Sequence, residues 1–343
     1  MRLLSVAVIG AGNMAGGYDE NKRTGDLGIY SHAGAYAAHG GFNLKSVFDP
    51  DRERAEAFRN IWKADRVADD QAEIQRTFHD VVSICSPDAT HFEAARAVLQ
   101  SRCCRTLFVE KPLATNLDHI DELIRLAQQS DIHLVVNFQR RYEPVHSEIR
   151  DLITSRSGTV LSVTGHYMKG LRHVGTTMVD TLTYLCGYPD AVLAYARAYN
   201  QEAEEFSYEF VMYYPGYSVA VKTTDADRLL YHYHVFEIDL LLTDRRLTLA
   251  ANSLWLRETA VTDYFYTGVK ALNDRGARFR ETDYKASMVE AARYVYDITT
   301  GRRAHDINTP GTSYNDCLVI DQIVESYARG SAKLSLGSSR WKR

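Results

Sequence analysis

One junction constrains this chain more than any other feature. A near-continuous apolar run from Leu3 to Ile9 ends in Gly10-Ala11-Gly12-Asn13-Met14-Ala15. An unbroken apolar run suits a strand buried on both faces. In the G-x-G-x-x-A turn, Gly10 permits a tight bend and Gly12 lets a pyrophosphate approach the backbone. Ala15 lets the following helix pack closely on the strand. Asn13 and Met14 open that helix, whose N-terminus favours phosphate charge. The turn is therefore a place to bind a dinucleotide, provided that more strands of the same kind follow.

They do. Phe42 to Phe48 ends in Asp49-Pro50-Asp51, Val81 to Ile84 ends in Ser86-Pro87-Asp88, Thr106 to Val109 ends at Glu110, and Ile132 to Val136 ends at Asn137. Helical segments lie between them. In one, Leu117, Ile120, Ile124 and Ala127 share a face, with Asn116 as N-cap. Alternating strand and helix predicts a doubly wound parallel sheet of the Rossmann type. Asp49, at the end of the second strand, can bind ribose hydroxyls and would repel a 2′-phosphate. NAD is thereby favoured over NADP, although Arg52 and Arg54 close behind leave NADP possible. The acidic residue is expected about 20 residues after the glycines, and Asp49 lies much further on. The polar stretch Tyr18 to Gly28 accounts for the excess as a loop inserted before the helix body, which resumes at Ser31-His32-Ala33. It is either one wall of a substrate cleft or a passive surface insertion.

A chain of 343 residues is long for one core, so two domains are expected, over 1–140 and 141–343. From about Leu161 the pattern changes. A helix over Thr176 to Leu185 precedes strand-like segments at Ala191 to Tyr199, Phe206 to Tyr214, Ser218 to Thr224, Tyr231 to Leu242 and Arg246 to Ala250. Many alternate and are rich in tyrosine, as in an open-faced, mainly antiparallel sheet of an α+β domain. Two late helices follow, over Tyr284 to Ile298 and Tyr314 to Tyr327.

The net charge of −4 gives no reason to expect nucleic acid as a partner. The short basic clusters (Arg245-Arg246, Arg302-Arg303, Arg340 to Arg343) read as solvated surface or a frayed tail. The five cysteines, at 85, 103, 104, 186 and 317, have neither zinc-ligand spacing nor an even count, which fits a reducing cytosol. The N-terminal segment has one positive charge and reads as a strand rather than a signal peptide. No stretch reaches the ~18 continuous apolar residues of a membrane span. His232 and His234 share one side of a strand, but no third ligand has suitable spacing, so no metal is expected.

Glu110-Lys111-Pro112 follows a strand, at the sheet edge where ligands bind. Proline biases Lys111 towards an extended backbone. A lysine there, beside a nicotinamide, can hydrogen-bond a substrate hydroxyl and stabilise the developing alkoxide.

Five elements together resemble the glucose–fructose oxidoreductase/inositol dehydrogenase (Gfo/Idh/MocA) family. They are Gly10 to Ala15, Ser86-Pro87-Asp88-Ala89-Thr90-His91, Glu110-Lys111-Pro112, Asn137-Phe138-Gln139-Arg140-Arg141-Tyr142-Glu143-Pro144 and the helix around Asp180. The resemblance covers the first 190 residues in sequence and the rest in architecture. It implies a Rossmann domain joined to an open-faced sheet, and NAD(P)-dependent oxidation or reduction of a hydroxyl or ketone on a sugar, cyclitol or nucleotide-linked sugar. It also implies that Lys111 is catalytic and that the Ser86-Pro87-to-His91 and Glu110-Lys111 segments border the cofactor. A homo-oligomer, dimer or tetramer, is the implied assembly; the tyrosine-rich sheet suits either that interface or sugar rings.

One departure stands out. Family members carry an Asp and a His four apart, then an Asp three further on. With Asp180 as the last, His173 takes the first acidic position and Thr177 the histidine position. If the helix already covers His173, then His173, Thr177 and Asp180 share one face at i, i+4 and i+7. Two readings follow. In one, His173 exchanges the substrate proton, kept neutral by the helix N-terminus, while Lys111 stabilises the oxygen. In the other, the redox step is lost. Tyr167 is a further candidate donor, and Arg140 and Arg141 could bind a substrate carboxylate or phosphate. The rivals to a dehydrogenase are a redox-neutral glycosidase or lyase with tightly bound NAD, and a dinucleotide-binding regulator or scaffold without turnover.

Overall fold

The computed structural model describes residues 2–20, 28–155, 160–201, 204–228, 235–264, 268–273, 277–337 and 341. The loop residues 21–27, His232 and His234, and most of the basic tail lie outside that set. The chain divides into two compact units. One comprises Met1–Glu143, Lys285–Tyr314 and Trp341–Arg343; the other comprises Pro144–Tyr284 and Asn315–Arg340.

The first unit holds a six-stranded sheet of β1 (Leu4–Ile9), β2 (Phe42–Phe48), β3 (Arg66–Val67), β4 (His79–Ile84), β5 (Cys104–Glu110) and β6 (His133–Asn137). Their order across the sheet is β3-β2-β1-β4-β5-β6, every pair parallel. This is the doubly wound arrangement, and its strand order reverses between β1 and β4, where such sheets open a crevice for ligands. The expected N-cap is present: Asn116 accepts from His119 N at the start of the helix Leu117–Ser130.

A simple cut near residue 140 does not describe this unit, because the chain comes back to it. The helix Ser287–Thr299 buries Met288, Ala291, Ala292 and Val295 in the same core as Val6, Val8, Phe108 and Val135. Tyr296 Oη donates to Arg2 O at 3.0 Å, and the Thr106 and Thr299 hydroxyls meet at 2.7 Å. Asn308 then brackets edge strand β6. Its carbonyl accepts from Val136 N at 3.0 Å and its amide donates to Phe138 O at 3.1 Å. An open edge is a liability that proteins cover, and the cover here comes from late in the chain.

The second unit holds a ten-stranded sheet: β7 (Val160–Tyr167), β8 (Ala191–Asn200), β9 (Glu205–Tyr214), β10 (Tyr217–Thr223), β11 (Glu237–Leu242), β12 (Arg245–Ala250), β13 (Trp255–Asp263), β14 (Lys270–Leu272), β15 (Arg278–Glu281) and β16 (Leu334–Ser335). The order is β14-β13-β12-β11-β7-β10-β9-β8-β16, with β15 also on β13. All pairs are antiparallel except β7 with β10. One face packs on the helices Pro144–Ser155, Thr176–Cys186 and Pro310–Ala328 through residues such as Val163, Met178, Leu182, Phe210 and Ile320. The last helix begins four residues earlier than its apolar period indicates, because Pro310 suits a first helical turn. Among the described residues no helix is long and apolar enough to cross a membrane.

Candidate functional site

At the carboxyl edge of the parallel sheet, the ends of β1, β2, β4, β5 and β6 are held in register. Ile9 pairs with Phe48 and Ile84, Ile84 with Val109, and Glu110 with Asn137. The loops after those strands carry Gly10, Asp49, Ser86 and Lys111. Gly10 has φ +90°, and a Cβ on it would stand 2.5 Å from Ser86 N. Only glycine permits both that backbone and that approach. Gly12 is the opposite case: a Cβ there would meet nothing within 4 Å. Its side of the turn is open, as a pyrophosphate passing over the backbone requires. Asn13 and Met14 lie in the wide turn Asn13–Gly17 that follows, and Ala15 is fully buried beneath it. Asp49 Oδ2 accepts from Ala11 N at 2.7 Å and Oδ1 from Asp51 N at 2.9 Å. Each oxygen keeps a second lone pair for a ribose hydroxyl. These residues fit a dinucleotide.

Ser86 is half-buried and Pro87 is exposed at the start of the helix Asp88–Ser101. His91 lies below them, fully buried. Its Nδ1 is 2.7 Å from Pro112 O and its Nε2 2.7 Å from Ser86 O. The ring thus ties the Ser86 and Lys111 loops together. The expectation that His91 binds cofactor is corrected: both nitrogens are occupied by backbone, and burial closes the ring to a ligand.

Glu110 is held at the same edge by side chains. It is 6 % exposed, and its Oε1 receives two donors, His32 Nε2 at 2.9 Å and Asn137 Nδ2 at 2.6 Å. Burial pushes the carboxyl up, but the His32 hydrogen bond, the Asn137 amide and the Lys111 charge outweigh it, and the net direction is down. Glu110 is an anchored carboxylate inside the sheet edge. Lys111 follows it, half-buried, with a cis peptide to Pro112. Arg140 and Arg141 lie in the single turn Gln139–Tyr142 and are both buried.

In the second unit, the segment after β7 is built from side-chain clamps. Lys169 takes a left-handed backbone (φ +66°), and the wide turn Gly170–Gly175 leads into the helix Thr176–Cys186. Gly170 N donates to Ser207 Oγ at 2.8 Å, and Arg172 N to Glu205 Oε1 at 2.6 Å. The Arg172 guanidinium reaches Asp321 Oδ1 at 2.7 Å. A Cβ on Gly170 would stand 2.2 Å from Glu205 Oε2. These contacts hold the neighbours of His173 from both sides and leave His173 exposed. It precedes the helix proper, so the i, i+4, i+7 face is corrected. Only Thr177 (half-buried) and Asp180 (fully buried) keep helical spacing, because the wide turn breaks the period before Thr176. Beside them Thr183 Oγ1 donates to the buried Asp316 Oδ1 at 2.8 Å.

Tyr167 is not available to a substrate. It is fully buried, and its hydroxyl accepts from Tyr208 N at 2.7 Å and donates to Tyr208 O at 2.9 Å. Sequence reasoning missed His32, Asn137 as its companion, and the Glu205 and Asp321 clamps. For His32 a signal existed: a histidine beside Ala33, Ala35 and Tyr36 on the buried face of a short helix. For the clamps there was none, since their partners lie 33 and 149 residues away.

Comparison with known proteins agrees with this geometry. Residues 4–138 match the model of an oxidoreductase family with an NAD-binding Rossmann fold. The chain is 25 % identical over 207 residues to the D-glucoside 3-dehydrogenase of Escherichia coli, 54 % of this chain and 55 % of that one. It is 29 % identical over 152 residues to the inositol 2-dehydrogenase of Mycolicibacterium smegmatis, 44 % and 40 % of the two chains. These matches span about half the length of the relatives. A levoglucosan dehydrogenase solved with NADH and levoglucosan superposes with a TM-score of 0.78 over 98 % of this chain and 100 % of that one; at 18 % identity the likeness is one of fold. Over residues 4–138, the chain is similar to the Gfo/Idh/MocA family of oxidoreductases, whose model there describes an NAD-binding Rossmann fold.

Proposed function

We propose that the protein is an NAD(H)-dependent dehydrogenase of a sugar-like ring, exchanging a hydride at a carbon that carries a secondary hydroxyl or its ketone. The observation that carries this reading is Lys111. It follows an anchored carboxylate, on the same sheet edge as the open Gly12 turn and the Asp49 rim. Bound NAD supplies the hydride acceptor. Gly12, Asp49, Ser86 and Pro87 hold and orient it, with Asn13, Met14 and Ala15 forming the turn that receives its phosphates. Lys111 donates a hydrogen bond to the substrate oxygen and stabilises the charge that develops there. His173 exchanges the hydroxyl proton, and Thr177 and Asp180, which follow it in the same segment, support the substrate end. Relatives named for glucosides and inositol support a polyhydroxylated ring, and nucleotide-linked sugars belong in the same screen. Five unpaired cysteines suit the cytosol. Exposed Leu161, Tyr195, Tyr199, Trp255 and Phe279 on strands of the second sheet suit a homo-oligomer, which light scattering after size exclusion measures.

The test begins with cofactor-stripped protein titrated with NADH and with NADPH by nicotinamide fluorescence. Selective NADH binding is expected, followed by turnover of at least one of D-glucosides, levoglucosan, inositols or nucleotide-linked sugars. Lys111→Ala should lower kcat/KM about 10²–10⁴-fold and leave NADH affinity nearly unchanged. Folded protein that binds neither dinucleotide would sink the reading.

A further inference from the structure

Lys111 is flanked by a buried carboxylate that accepts two side-chain hydrogen bonds, and one of its partners comes from an element that no sequence motif marks. Glu110 Oε1 is 2.9 Å from His32 Nε2 and 2.6 Å from Asn137 Nδ2. A carboxylate only accepts, so the proton of that contact is on His32 Nε2. The ring is fully buried, lies 4.5 Å from Phe108 by centroid, and its Nδ1 has no hydrogen-bond partner among the described residues. The imidazole therefore makes one polar contact, and that contact is Glu110.

The place of His32 is itself set from outside the sheet. It is the first residue of the helix His32–His39, whose N-cap is Ser31. Asp19, at the entrance to the inserted segment, accepts from Tyr30 N at 3.2 Å, Ser31 N at 2.8 Å and Ser31 Oγ at 2.5 Å. A Cβ on Gly34 would stand 2.2 Å from Asp19 Oδ2, so the glycine makes room for that carboxylate. At the exit of the insertion, Ile29 N donates to Lys285 O at 2.9 Å. The insertion is thus tied down at both ends, and its first tie caps the helix that carries His32.

We infer that His32 is a positioning residue for the reaction: by donating from Nε2 to Glu110 Oε1 it keeps the Glu110 carboxylate ionised and fixed next to Lys111, and Asp19 holds the start of the His32 helix in register. The inference rests on the reading of Lys111 as the residue that meets the substrate oxygen. Other titratable groups around Glu110 do not substitute for His32. Tyr36, Cys85 and Tyr142 also feel its charge, but burial pushes each of them up, so they stay neutral. Asn137 donates without carrying charge, and Met288 on the helix behind it offers only a thioether, 3.2 Å from the Asn137 amide.

The decisive experiment compares wild type, His32→Leu and His32→Gln. Leucine removes the donor, whereas the glutamine amide can take the place of Nε2. Glu110 is followed by its labelled carboxyl ¹³C resonance, assigned by its loss in Glu110→Gln, and activity by the pH profile of kcat/KM with NAD and the best ring substrate. In His32→Leu, loss of a charge-assisted bond should raise the Glu110 midpoint by about one to two units. The acid limb of the profile should rise with it, NADH affinity should hold within about twofold, and His32→Gln should restore both. Ring ¹⁵N shifts of wild-type His32 should report the Nε2–H form, which tests the geometry even where the leucine variant does not fold. A Nδ1–H tautomer, or an unmoved acid limb in folded His32→Leu, would overturn the inference while the dehydrogenase reading stands. A wild type that binds NADH but turns over no ring substrate would overturn both.

Discussion

The two halves of the proposed chemistry are held in different ways. In the first unit the edge turns on a backbone-to-backbone approach, Gly10 against Ser86 N, to which the buried Asp49 and His91 side chains tie the neighbouring loops. In the second unit the segment around His173 is held by charged side chains, Glu205 on Arg172 N and Asp321 on the Arg172 guanidinium. Backbone-built sites tolerate little change, because a Cβ has nowhere to go at close approach. Sites held by clamps can trade one residue for another and keep their position. On that contrast the glycine turn is the part least open to substitution, and the segment carrying His173 and Thr177 the more open one.

The sharpest way to break this comparison is at the two glycines. Gly10→Ala should cost about 4 kcal/mol, since it combines a left-handed backbone with contact to Ser86 N. Gly12→Ala should melt close to wild type and lose NADH affinity instead. Equal thermal shifts for the two would mean that the edge is not divided into a structural and a ligand-facing glycine. A second effect tests the first unit away from the edge. Burial pushes His305 down to about 4, with nearby His133 adding to it. The unfolded chain takes up that proton near 6.5 and the native state only near 4. Stability should therefore fall by about 3 kcal/mol as pH drops from 6.5 to about 4, then level off for this group. Denaturant melts of His305→Asn should show a flatter profile across that window.

In the second unit, Thr183→Val removes the donor to buried Asp316 and should cost about 2 kcal/mol by thermal melting, with NADH affinity untouched. Glu205→Gln keeps an acceptor but no charge at Arg172 N. It should leave the melting temperature nearly unchanged and raise KM for the ring substrate by about threefold, about 0.7 kcal/mol. A matching loss of NADH affinity would show that the clamp serves the cofactor rather than the substrate. In the first unit the cap gives an effect of similar size: Asn116→Ala should cost about 1 kcal/mol, read as a small drop in melting temperature.

The parallel sheet was legible in the sequence because β1, β4, β5 and β6 are buried over most of both faces, and each of them and β2 is followed closely by a punctuating residue, Gly10, Ser86, Glu110, Asn137 or Asp49. The return of Ser287–Thr299 to that sheet was not legible. Its apolar stripe identifies a helix with one buried face and is silent about which sheet covers that face. Tyr167 shows the same limit from the other side. Its type suits both a substrate donor and a packed ring, and the Tyr208 backbone, 41 residues on, decides for packing.

What the sequence by itself determined is local and covalent in range: buried strands, the glycine turn, the acidic residue after β2, a lysine fixed at a strand end by the proline behind it. Each follows from a few adjacent residues, because backbone sterics and apolar periodicity act over that distance. What the tertiary structure alone decided is the state of the groups that those motifs bring together. Glu110 is anchored through Oε1, His91 is a bridge between loops, and His32 is a partner of the carboxylate beside Lys111. Burial and hydrogen-bond partners set the state of a titratable group, and here the partner of Glu110 lies 78 residues back in the chain.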